Sequence, residues 1–586
     1  MIRIFRYLRP KEWLVALISL AFIVAQVWLD LKSPDYMSEI TILVQTPGSA
    51  MSDVWLAGGK MLLCTLGSLA AAVTVGFFAA RIAAAFSMQL RSLLFHKVES
   101  FSMEEISRFS TDSLITRSTN DITQVQMFLT MGLQIIIKAP VTAVWAITKI
   151  AGKGFEWTLT TGAAVAVLVG MIGFLTIFVM PKFKRMQALT DNMNRVTREN
   201  LTGLRVIRAY NAEDYQEEKF EKANQELTGT QLFTSRAMAV MMPVMSAVMS
   251  GLSLAIYWIG AYLIHAAGLT EKLVLFSDMV VFSSYAMQVI LSFMMLTMIF
   301  VMLPRATVSA KRINEVLDTE PAILDGSRTD GVHGIKGEVV FRHVCFKYPG
   351  AMDYVLEDVS FTVKQGETIA FIGSTGSGKS TLINLVPRFF DATEGEVLID
   401  GVNVREYTQE ALHNKIGYVP QRAVLFRGTV SSNVAYGDNG GSAFSAEEIR
   451  AAIAIAQSTD FVERMEGGQE ADIAQGGTNV SGGQKQRLAI ARAVCRRPEI
   501  YIFDDSFSAL DYKTDRVLRS ALKKETAGVT SMIVAQRIGT IMDADQIIVL
   551  EEGKVAGQGR HKELLRSCEV YRQIAMSQLS EEELVS

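Results

Sequence analysis

The chain has few cysteines, few charged residues and little net charge of either sign. Its cysteines lie far apart and form neither a CxxC nor a Cys/His pattern; they are Cys64, Cys345, Cys495 and Cys568. This spacing argues against a disulfide framework or a zinc site and favours reduced cysteines in a cytosol-facing protein. The formal net charge of −3 over 586 residues gives no reason to expect a nucleic-acid partner.

Charged residues make up only 20% of the chain, whereas hydrophobic residues make up 49%. An ordinary soluble protein carries about 25% charged residues, so this balance predicts membrane segments beside a soluble part. A chain of 586 residues is also too long for one ordinary domain. No cleavable signal peptide is expected, because the first apolar run lacks a small-residue cleavage site and is followed by further apolar runs.

Long apolar runs occupy the first half of the chain and end near residue 303. They predict six membrane helices, at residues 13–31, 58–80, 128–149, 157–180, 237–265 and 273–303. A helix of each length can cross a hydrocarbon layer of about 30 Å. The third span contains Lys138 and Pro140. Lys138 has two interpretations: a residue near the inner membrane boundary, or a functional lysine buried in the membrane.

Basic residues concentrate at the N-terminus and in two long loops, residues 81–125 and 181–236. The positive-inside rule therefore predicts a multi-pass membrane protein with both termini and these loops in the cytoplasm. After residue 320 the pattern changes to short strands and helices punctuated by glycine, which is typical of an α/β domain. The predicted domains are a transmembrane domain at residues 1–320 and a cytoplasmic α/β domain at residues 321–586.

The segment GSTGSGKST follows the predicted strand ETIAFI and fits the GxxxxGK[ST] pattern of a phosphate-binding loop. Its glycines let backbone amides curl around a phosphate, its lysine adds positive charge, and the next helix points its positive dipole end at the anion. The predicted nucleotide-binding residues are Gly373, Ser374, Thr375, Gly376, Ser377, Gly378, Lys379, Ser380 and Thr381. The Ser380 hydroxyl is also a predicted ligand of Mg²⁺.

Three other residues complete the predicted site for ATP and Mg²⁺. Asp504 ends the predicted strand EIYIF and is expected to reach the metal through water. Gln421, in GYVPQ, is expected to complete the metal shell or to orient water. Tyr348, in FKYPG, lies 25 residues before the phosphate loop and is predicted to stack on adenine.

The segment VSGGQKQRLAIARA places Ser481, Gly482 and Gly483 at the start of a predicted helix. Free backbone N–H groups at that position form a second anion site. One domain does not need two phosphate cradles for one nucleotide. The second cradle is useful if it covers the ATP of a partner domain.

Together these motifs resemble the ATP-binding cassette (ABC) family, and the resemblance covers the whole chain. Residues 109–122 and 199–220 look like two cytosolic coupling segments of exporter-type members, and residues 305–318 look like their linker to the cassette. The resemblance implies a bundle of six transmembrane helices of the exporter type followed by a cytosolic α/β P-loop ATPase domain. It also implies a head-to-tail pair of cassettes, with each ATP between one phosphate loop and the other subunit's SGGQ. Asp511, in SALD, matches the family's loop that crosses between the two sites.

Two catalytic positions depart from the family's pattern. The family's general base is a glutamate, and here it is Asp505, whose side chain is one methylene shorter. The family's histidine, which contacts the γ-phosphate, is Gln536, and Gln475 also stands where glutamate is more usual. Because the phosphate loop and SGGQ are intact, the resemblance implies that this chain binds ATP but hydrolyses it slowly or not at all. Its SGGQ would complete an active site on a second ABC half-transporter that retains the glutamate and the histidine.

The function that the resemblance implies is ATP-driven export of amphipathic small molecules, of the multidrug type, across the bacterial cytoplasmic membrane by one half of a heterodimer. A lipid, peptide or siderophore transporter and an ATP-gated channel or regulator are the alternatives. The expected partners are the second half-transporter, membrane lipid and a small-molecule substrate. Methionines recur at helical spacing in the fifth and sixth spans and indicate either a broad binding surface or ordinary helix packing. They are Met238, Met242, Met245, Met249, Met287, Met294, Met298 and Met302.

Overall fold

The structure, a computed structural model, describes residues 2–46, 48–151, 154–268, 271–437, 443–508, 510–525 and 527–579. The chain divides into two compact units. The first unit comprises Met1–Glu99 and Thr111–Thr319. The second comprises Ser100–Ser110 and Glu320–Ser586. The eleven residues from 100 to 110 therefore group with the second unit, although they lie far before it in sequence.

Helices, most of them long, build the described part of the first unit. They are α1 (Pro10–Gln45), α2 (Met51–Glu99), α4 (Thr111–Thr116), α5 (Ile122–Ile150), α6 (Phe155–Phe174), α7 (Met180–Ala209), α8 (Glu213–Ala266) and α9 (Glu271–Asp318), while α3 (Met103–Phe109) belongs to the second unit. A 3₁₀ turn precedes α1 at Ile2–Tyr7. Two π-helical turns, Arg117–Asp121 and Leu175–Val179, join α4 to α5 and α6 to α7 into continuous helical stretches.

Six helical stretches in the described residues are long and apolar enough to cross a membrane, as the sequence predicts. They are Pro10–Gln45, Met51–Glu99, Thr111–Ile150, Phe155–Ala209, Glu213–Ala266 and Glu271–Asp318, and each contains one predicted span. At a rise of 1.5 Å per residue, the 49 residues of α2 measure about 74 Å, more than twice the thickness of the hydrocarbon layer. The apolar run therefore covers only part of each helix.

A cluster of apolar side chains from several helices forms the core of the first unit. Trp157 is almost completely buried there, with its ring 5.5 Å from that of Phe282 and its indole N–H donated to the Ile256 carbonyl at 3.2 Å. Met245 is buried in the same cluster, and Met294 packs against it. The packing interpretation therefore holds for these two methionines. The side chain of Met298 lies outside the described residues.

The first predicted coupling segment contacts the predicted linker at the end of α9. Arg117 donates to a carboxylate oxygen of Glu315 at 3.0 Å, and Ser309 donates to Asp121 at 2.8 Å. Arg117 and Asp121 are buried, so these contacts satisfy charged groups that would otherwise be costly to remove from water. The contacts fasten the start of α5 to the last turns of α9.

The second unit has the α/β character that the sequence predicts. Its described strands are β1 (Val339–Phe346), β2 (Leu356–Val363), β3 (Thr368–Gly373), β4 (Glu394–Ile399), β5 (Val402–Asn403), β6 (Ile416–Val419), β7 (Gly428–Thr429), β8 (Asp472–Ile473), β9 (Ile500–Asp504), β10 (Thr530–Val534), β11 (Gln546–Glu551) and β12 (Lys554–Gly559). One sheet has the order β12-β11-β3-β10-β9-β6, parallel except for the edge strand β12. An antiparallel sheet has the order β2-β1-β4-β5, and β7 pairs with β8.

Helices connect these strands and cover the parallel sheet. They are α10 (Lys379–Asn384), α11 (Gln409–Asn414), α12 (Val430–Val434), α13 (Ala446–Ile455), α14 (Thr459–Arg464), α15 (Gly482–Cys495), α16 (Tyr512–Glu525), α17 (Ile538–Ile541), α18 (His561–Ser567) and α19 (Glu569–Met576), with 3₁₀ turns at Gly468–Glu470 and Gln475–Gly477. The central strands β3, β9 and β10 are buried on both faces, which explains their continuous apolar sequences.

Helix α3 is tied to the second unit by Glu105. Its carboxylate accepts from the backbone N–H and the hydroxyl of Ser102, at 2.7 and 2.6 Å, which closes a capping box at the start of the helix. The other carboxylate oxygen accepts from the backbone N–H of Ala322 at 2.9 Å. Glu105 is buried, so these hydrogen bonds compensate for its desolvation and hold α3 beside the start of the second unit's main segment.

Candidate functional site

The phosphate loop joins the end of β3 to the start of α10. Gly376 and Gly378 have φ angles of +87° and +94°, in the left-handed region that favours glycine. A Cβ at Gly378 would lie 2.9 Å from the Val355 carbonyl oxygen, so this position also lacks space for a side chain. Ser374, Thr375 and Gly376 form the exposed tip of the loop, as a site that receives a ligand from solvent requires.

Lys379 lies under the loop and donates to the loop's own oxygens. Its ammonium contacts the carbonyls of Gly373 and Ser374 at 3.0 and 2.7 Å and the Ser377 hydroxyl at 3.2 Å. Burial lowers the pKa of this lysine, while nearby carboxylates oppose the shift. The ammonium is therefore held in place at the position where a bound phosphate would need a positive charge.

Asp504 and Ser380 offer hard oxygen atoms side by side, which fits Mg²⁺. The Ser380 hydroxyl donates to a carboxylate oxygen of Asp504 at 2.9 Å. Burial raises the pKa of Asp504, and the hydrogen bond from Ser380 opposes that shift. The described residues contain no group of three or more His, Cys, Asp or Glu that could hold a metal by themselves, so phosphate oxygens and water would have to complete the shell.

Asp505 and Gln536, the two positions that depart from the family's pattern, contact each other. The Gln536 side-chain amide donates to the Asp505 carboxylate at 2.8 Å. Gln421, predicted as a metal ligand or as a residue that orients water, donates to the same carboxylate oxygen at 3.3 Å. Burial raises the pKa of Asp505, and hydrogen bonds to the residue oppose this. The carboxylate is thus fixed by two uncharged amides.

The sheet topology brings these residues together. Strands β9 and β10 are parallel neighbours, with Val534 opposite Asp504. Asp505 directly follows β9, and Gln536 comes two residues after β10, so both lie at the carboxyl edge of the sheet. The Asp505 N–H donates to the Val534 carbonyl at 3.0 Å, which fixes the backbone at the catalytic position. Ligands of open α/β sheets bind at this edge.

Tyr348 lies beside the helix that follows the phosphate loop. Its hydroxyl is 2.9 Å from the Thr381 hydroxyl, and its ring packs edge-on against Phe346 and Phe390. The aromatic side chain remains partly exposed, so a face is available to a ligand. Stacking on adenine remains a prediction.

Ser481, Gly482 and Gly483 of the SGGQ sequence, called the signature below, form the start of α15, as the sequence predicts. Ser481 is the N-cap, and its hydroxyl accepts from the Gln484 N–H at 3.3 Å in a capping box. Ser481 and Gly482 are exposed, so the first N–H groups of the helix are accessible to an anion. Asp511 is exposed as well and accepts from the Thr514 N–H at 3.0 Å, capping α16. None of the described hydrogen bonds joins these residues to the chain's own phosphate loop.

Two family matches agree with the geometry of the two units. Residues 16–293 match the ABC transporter transmembrane region, and residues 356–508 match the ABC transporter family. The chain belongs to the ABC transporter family. As an ABC transporter it combines membrane helices with an ATP-hydrolysing domain, and the family implies that the phosphate loop binds ATP.

Several relatives of this ABC transporter match it over most of their length. The uncharacterized ABC transporter ATP-binding protein MT1311 of Mycobacterium tuberculosis is 38% identical, covering 98% of this chain and 97% of the relative. The uncharacterized ABC transporter ATP-binding protein YfiB of Bacillus subtilis is 34% identical, covering 98% of each. The ATP-dependent lipid A-core flippase of Pseudomonas fluorescens is 31% identical, covering 83% of this chain and 80% of the flippase.

The fold is that of an ABC exporter half-transporter. A solved bacterial Atm1-family ABC exporter with ATP bound matches with a TM-score of 0.78 at 24% identity, covering 97% of this chain and 99% of that one. The predicted fold class, six membrane helices followed by a P-loop ATPase domain, is confirmed.

Sequence reasoning missed two polar contacts. Ser508 donates to the Asp505 carbonyl at 2.9 Å and braces the turn after β9; its position three residues after Asp505 is the available signal. In the first unit, Asp30 forms an ion pair with Lys138 at 3.3 Å. An acidic residue at the end of the first predicted span was the signal for that pair.

Proposed function

We propose that this chain is one half of a heterodimeric exporter whose own ATP site is degenerate. It exports amphipathic small molecules across the bacterial cytoplasmic membrane, with both termini and the ATPase domain in the cytoplasm. Its phosphate loop binds ATP and Mg²⁺ and turns ATP over slowly or not at all. Ser481, Gly482 and Gly483 complete a faster site on a second half-transporter that has a glutamate and a histidine at the two catalytic positions.

The contact between Asp505 and Gln536 carries this proposal. A general base has to approach the water that attacks the terminal phosphate, and it has to be free to accept that water's proton. Here the carboxylate is one methylene shorter than glutamate, and its Oδ2 already accepts from Gln536 and Gln421. A displacement of about 1 Å in such a group costs on the order of 100-fold in rate. Gln536 carries no charge, and its side-chain amide already donates a hydrogen bond to Asp505.

The exposed signature supports a partner that shares the site. Bound ATP would supply the negative charge that the N–H groups at the start of α15 can stabilise. Ser481 and Gly482 are exposed, and none of the described hydrogen bonds of Ser481 reaches the chain's own phosphate loop, so the start of α15 fits the ATP of another cassette. A homodimer would contain two copies of the Asp505–Gln536 pair and would hydrolyse slowly at both.

A pull-down from native membranes tests the pairing. The tagged full chain should recover a second ABC half-transporter in equal amounts, with glutamate and histidine at the positions of Asp505 and Gln536. After turnover with labelled azido-ATP, cross-linked ATP should remain on this chain while ADP appears on the partner's loop. Recovery of this chain alone, with ADP equally on both copies, would overturn the proposal. The Lys379→Ala variant controls for labelling outside the phosphate loop.

Lipid export is the second candidate function. Its support is that several relatives about 30% identical are named ATP-dependent lipid A-core flippases. Reconstituted heterodimer separates the two candidates: ATP-dependent uptake of fluorescent cationic amphiphiles into inside-out vesicles supports small-molecule export. Movement of labelled lipid between leaflets without such uptake supports lipid export.

A further inference from the structure

The first unit contains a cavity of about 430 Å³ between α1, α2, α5 and α9. This volume falls in the range of small-molecule sites, about 300–1,000 Å³. Asp30 and Lys138 both line it, and their side chains form an ion pair at 3.3 Å. Their side chains remain 32% and 24% exposed, so the pair faces the cavity and is accessible from it.

The remaining lining combines polar groups with apolar walls. Gln288 lines the cavity and donates to the Asp30 carbonyl at 3.4 Å. Thr142 is more than nine-tenths buried, lines the same cavity, and its hydroxyl has no hydrogen-bond partner within the described part of the chain. Met37 and Met295 contribute flexible apolar surface, and Leu29 and Leu291 complete the apolar walls. The cavity therefore offers a ligand both polar groups and apolar walls.

The ion pair restricts which ligands fit. A cation bound to Asp30 would leave Lys138 facing a like charge, and an anion bound to Lys138 would do the same to Asp30. Separating an ion pair among membrane helices leaves an uncompensated charge in poorly hydrated surroundings, which is unfavourable. A ligand with both charges can instead pair its ammonium with Asp30 and its anionic group with Lys138. Asp30 also accepts a hydrogen bond from the Ser68 hydroxyl. This hydrogen bond can remain when the ligand's ammonium replaces Lys138 as the ionic partner of Asp30.

We propose that this cavity binds the headgroup of a zwitterionic amphiphile, whose apolar body lies against the methionine and leucine walls. The exported molecules of this transporter would then carry an ammonium and an anionic group close together on an apolar body. The inference rests on the proposed export function and specifies its substrate class. It assigns Lys138 the second of its two interpretations, a functional lysine among the membrane helices.

Binding to the purified full chain tests this inference without hydrolysis or a second subunit. The chain is placed in nanodiscs of anionic phosphatidylglycerol, which contain no zwitterionic lipid. Three probes share a dodecyl tail and differ in the headgroup: dodecylphosphocholine, dodecyltrimethylammonium and dodecyl phosphate. The zwitterion should bind at least about tenfold more tightly than either singly charged probe. Equal affinities for all three headgroups would overturn the inference and leave the proposal for the ATPase domain untouched.

Three variants test the residues. Asp30→Asn and Lys138→Met should each weaken binding of dodecylphosphocholine at least about tenfold. Lys149→Met is the matched control, because Lys149 is also a paired lysine of α5, 2.8 Å from Asp35, but does not line the cavity. Its affinity should stay within about twofold of the unaltered chain. Equal losses in all three variants would mean that the ion pairs hold the bundle together, and would overturn the inference.

A photoactivatable dodecylphosphocholine on the unaltered chain decides the question if a variant does not fold. Labelling of the peptides that contain Met37 and Met295 supports the inference, and labelling confined to other helices overturns it. Competition by a two-chain phosphatidylcholine would support a membrane lipid as the source of the headgroup. Competition by soluble zwitterionic amphiphiles alone would support a free one.

Discussion

Replacing Asp505 by glutamate together with Gln536 by histidine should make a homodimer of this chain hydrolyse ATP about 100-fold faster. Each copy contributes an intact SGGQ, so the double change places a full-length base and its histidine opposite a working signature. The backbone at Asp505 is fixed by its hydrogen bond to the Val534 carbonyl, so it should not shift to compensate for the added methylene. The carboxylate should therefore extend beyond the strand ends, towards the phosphate loop.

The magnitude follows from the present position of the carboxylate. Its Oδ2 accepts hydrogen bonds from the Gln536 amide at 2.8 Å and the Gln421 amide at 3.3 Å. These hydrogen bonds keep the carboxylate beside the two amides. One methylene moves it by about 1 Å, and a misplacement of that size costs on the order of 100-fold, or about 2.7 kcal/mol of activation free energy. Histidine at position 536 also removes the shorter of the two amide contacts. Either single change should give only part of the gain.

The assay compares ATP turnover by the purified full chain in nanodiscs, with binding of a fluorescent ATP analogue measured in parallel. Adding Gly482→Asp to the double variant should abolish the gain, because a carboxylate would then face the γ-phosphate of the opposite copy. Glutamate at a φ of +47° is less favourable than aspartate, so thermal unfolding is followed as a control for folding. A double variant that binds ATP normally and hydrolyses it no faster would refute the reasoning.

Three further predictions concern the second unit. Gly378→Ala should weaken binding of a fluorescent ATP analogue and lower the Tm more than Gly376→Ala does, because both positions have positive φ but only a Cβ at residue 378 would lie 2.9 Å from a backbone carbonyl oxygen. Burial raises the pKa of Asp504 above its ordinary value of 3.8, so the ionised carboxyl destabilises the nucleotide-free fold at neutral pH. Asp504→Asn should therefore raise the Tm at pH 7, with a gain that shrinks as the pH falls towards about 4. Asp511→Asn should not raise it, because a backbone N–H lowers the pKa of that exposed carboxyl, and a Tm gain equal to that of Asp504→Asn would contradict the assignment. Glu105→Ala should cost about 1–3 kcal/mol of unfolding free energy and Glu105→Gln less, as measured by denaturant unfolding, because the buried carboxylate accepts three hydrogen bonds.

The double variant, the pull-down and the binding experiment measure three different steps of transport. The double change at Asp505 and Gln536 asks whether the local chemistry alone explains slow turnover. The pull-down asks whether another subunit supplies the missing residues, and the binding experiment asks what the membrane helices recognise. A failure of one leaves the others interpretable, because each measures a different step: hydrolysis, assembly or ligand binding.

Local patterns in the sequence were sufficient for the membrane spans, the phosphate loop and the start of α15. An apolar run of about 20 residues can be satisfied in lipid only as a helix, since every backbone group must be paired within the segment. The phosphate loop is also local: its strand, glycines, lysine and helix are consecutive. The capping box joins Ser481 to Gln484, three positions later, and needs nothing from the rest of the fold.

Contacts between distant residues were decided only by the tertiary structure. Asp505 and Gln536 are 31 residues apart and meet because β9 and β10 are neighbours, an order that strand patterns alone do not specify. The same holds for Asp30 and Lys138, which lie on α1 and α5 and pair because these helices pack together. Periodicity shows that a residue lies on a helix or strand, whereas the partner it meets depends on how apolar faces from many elements fit together at once.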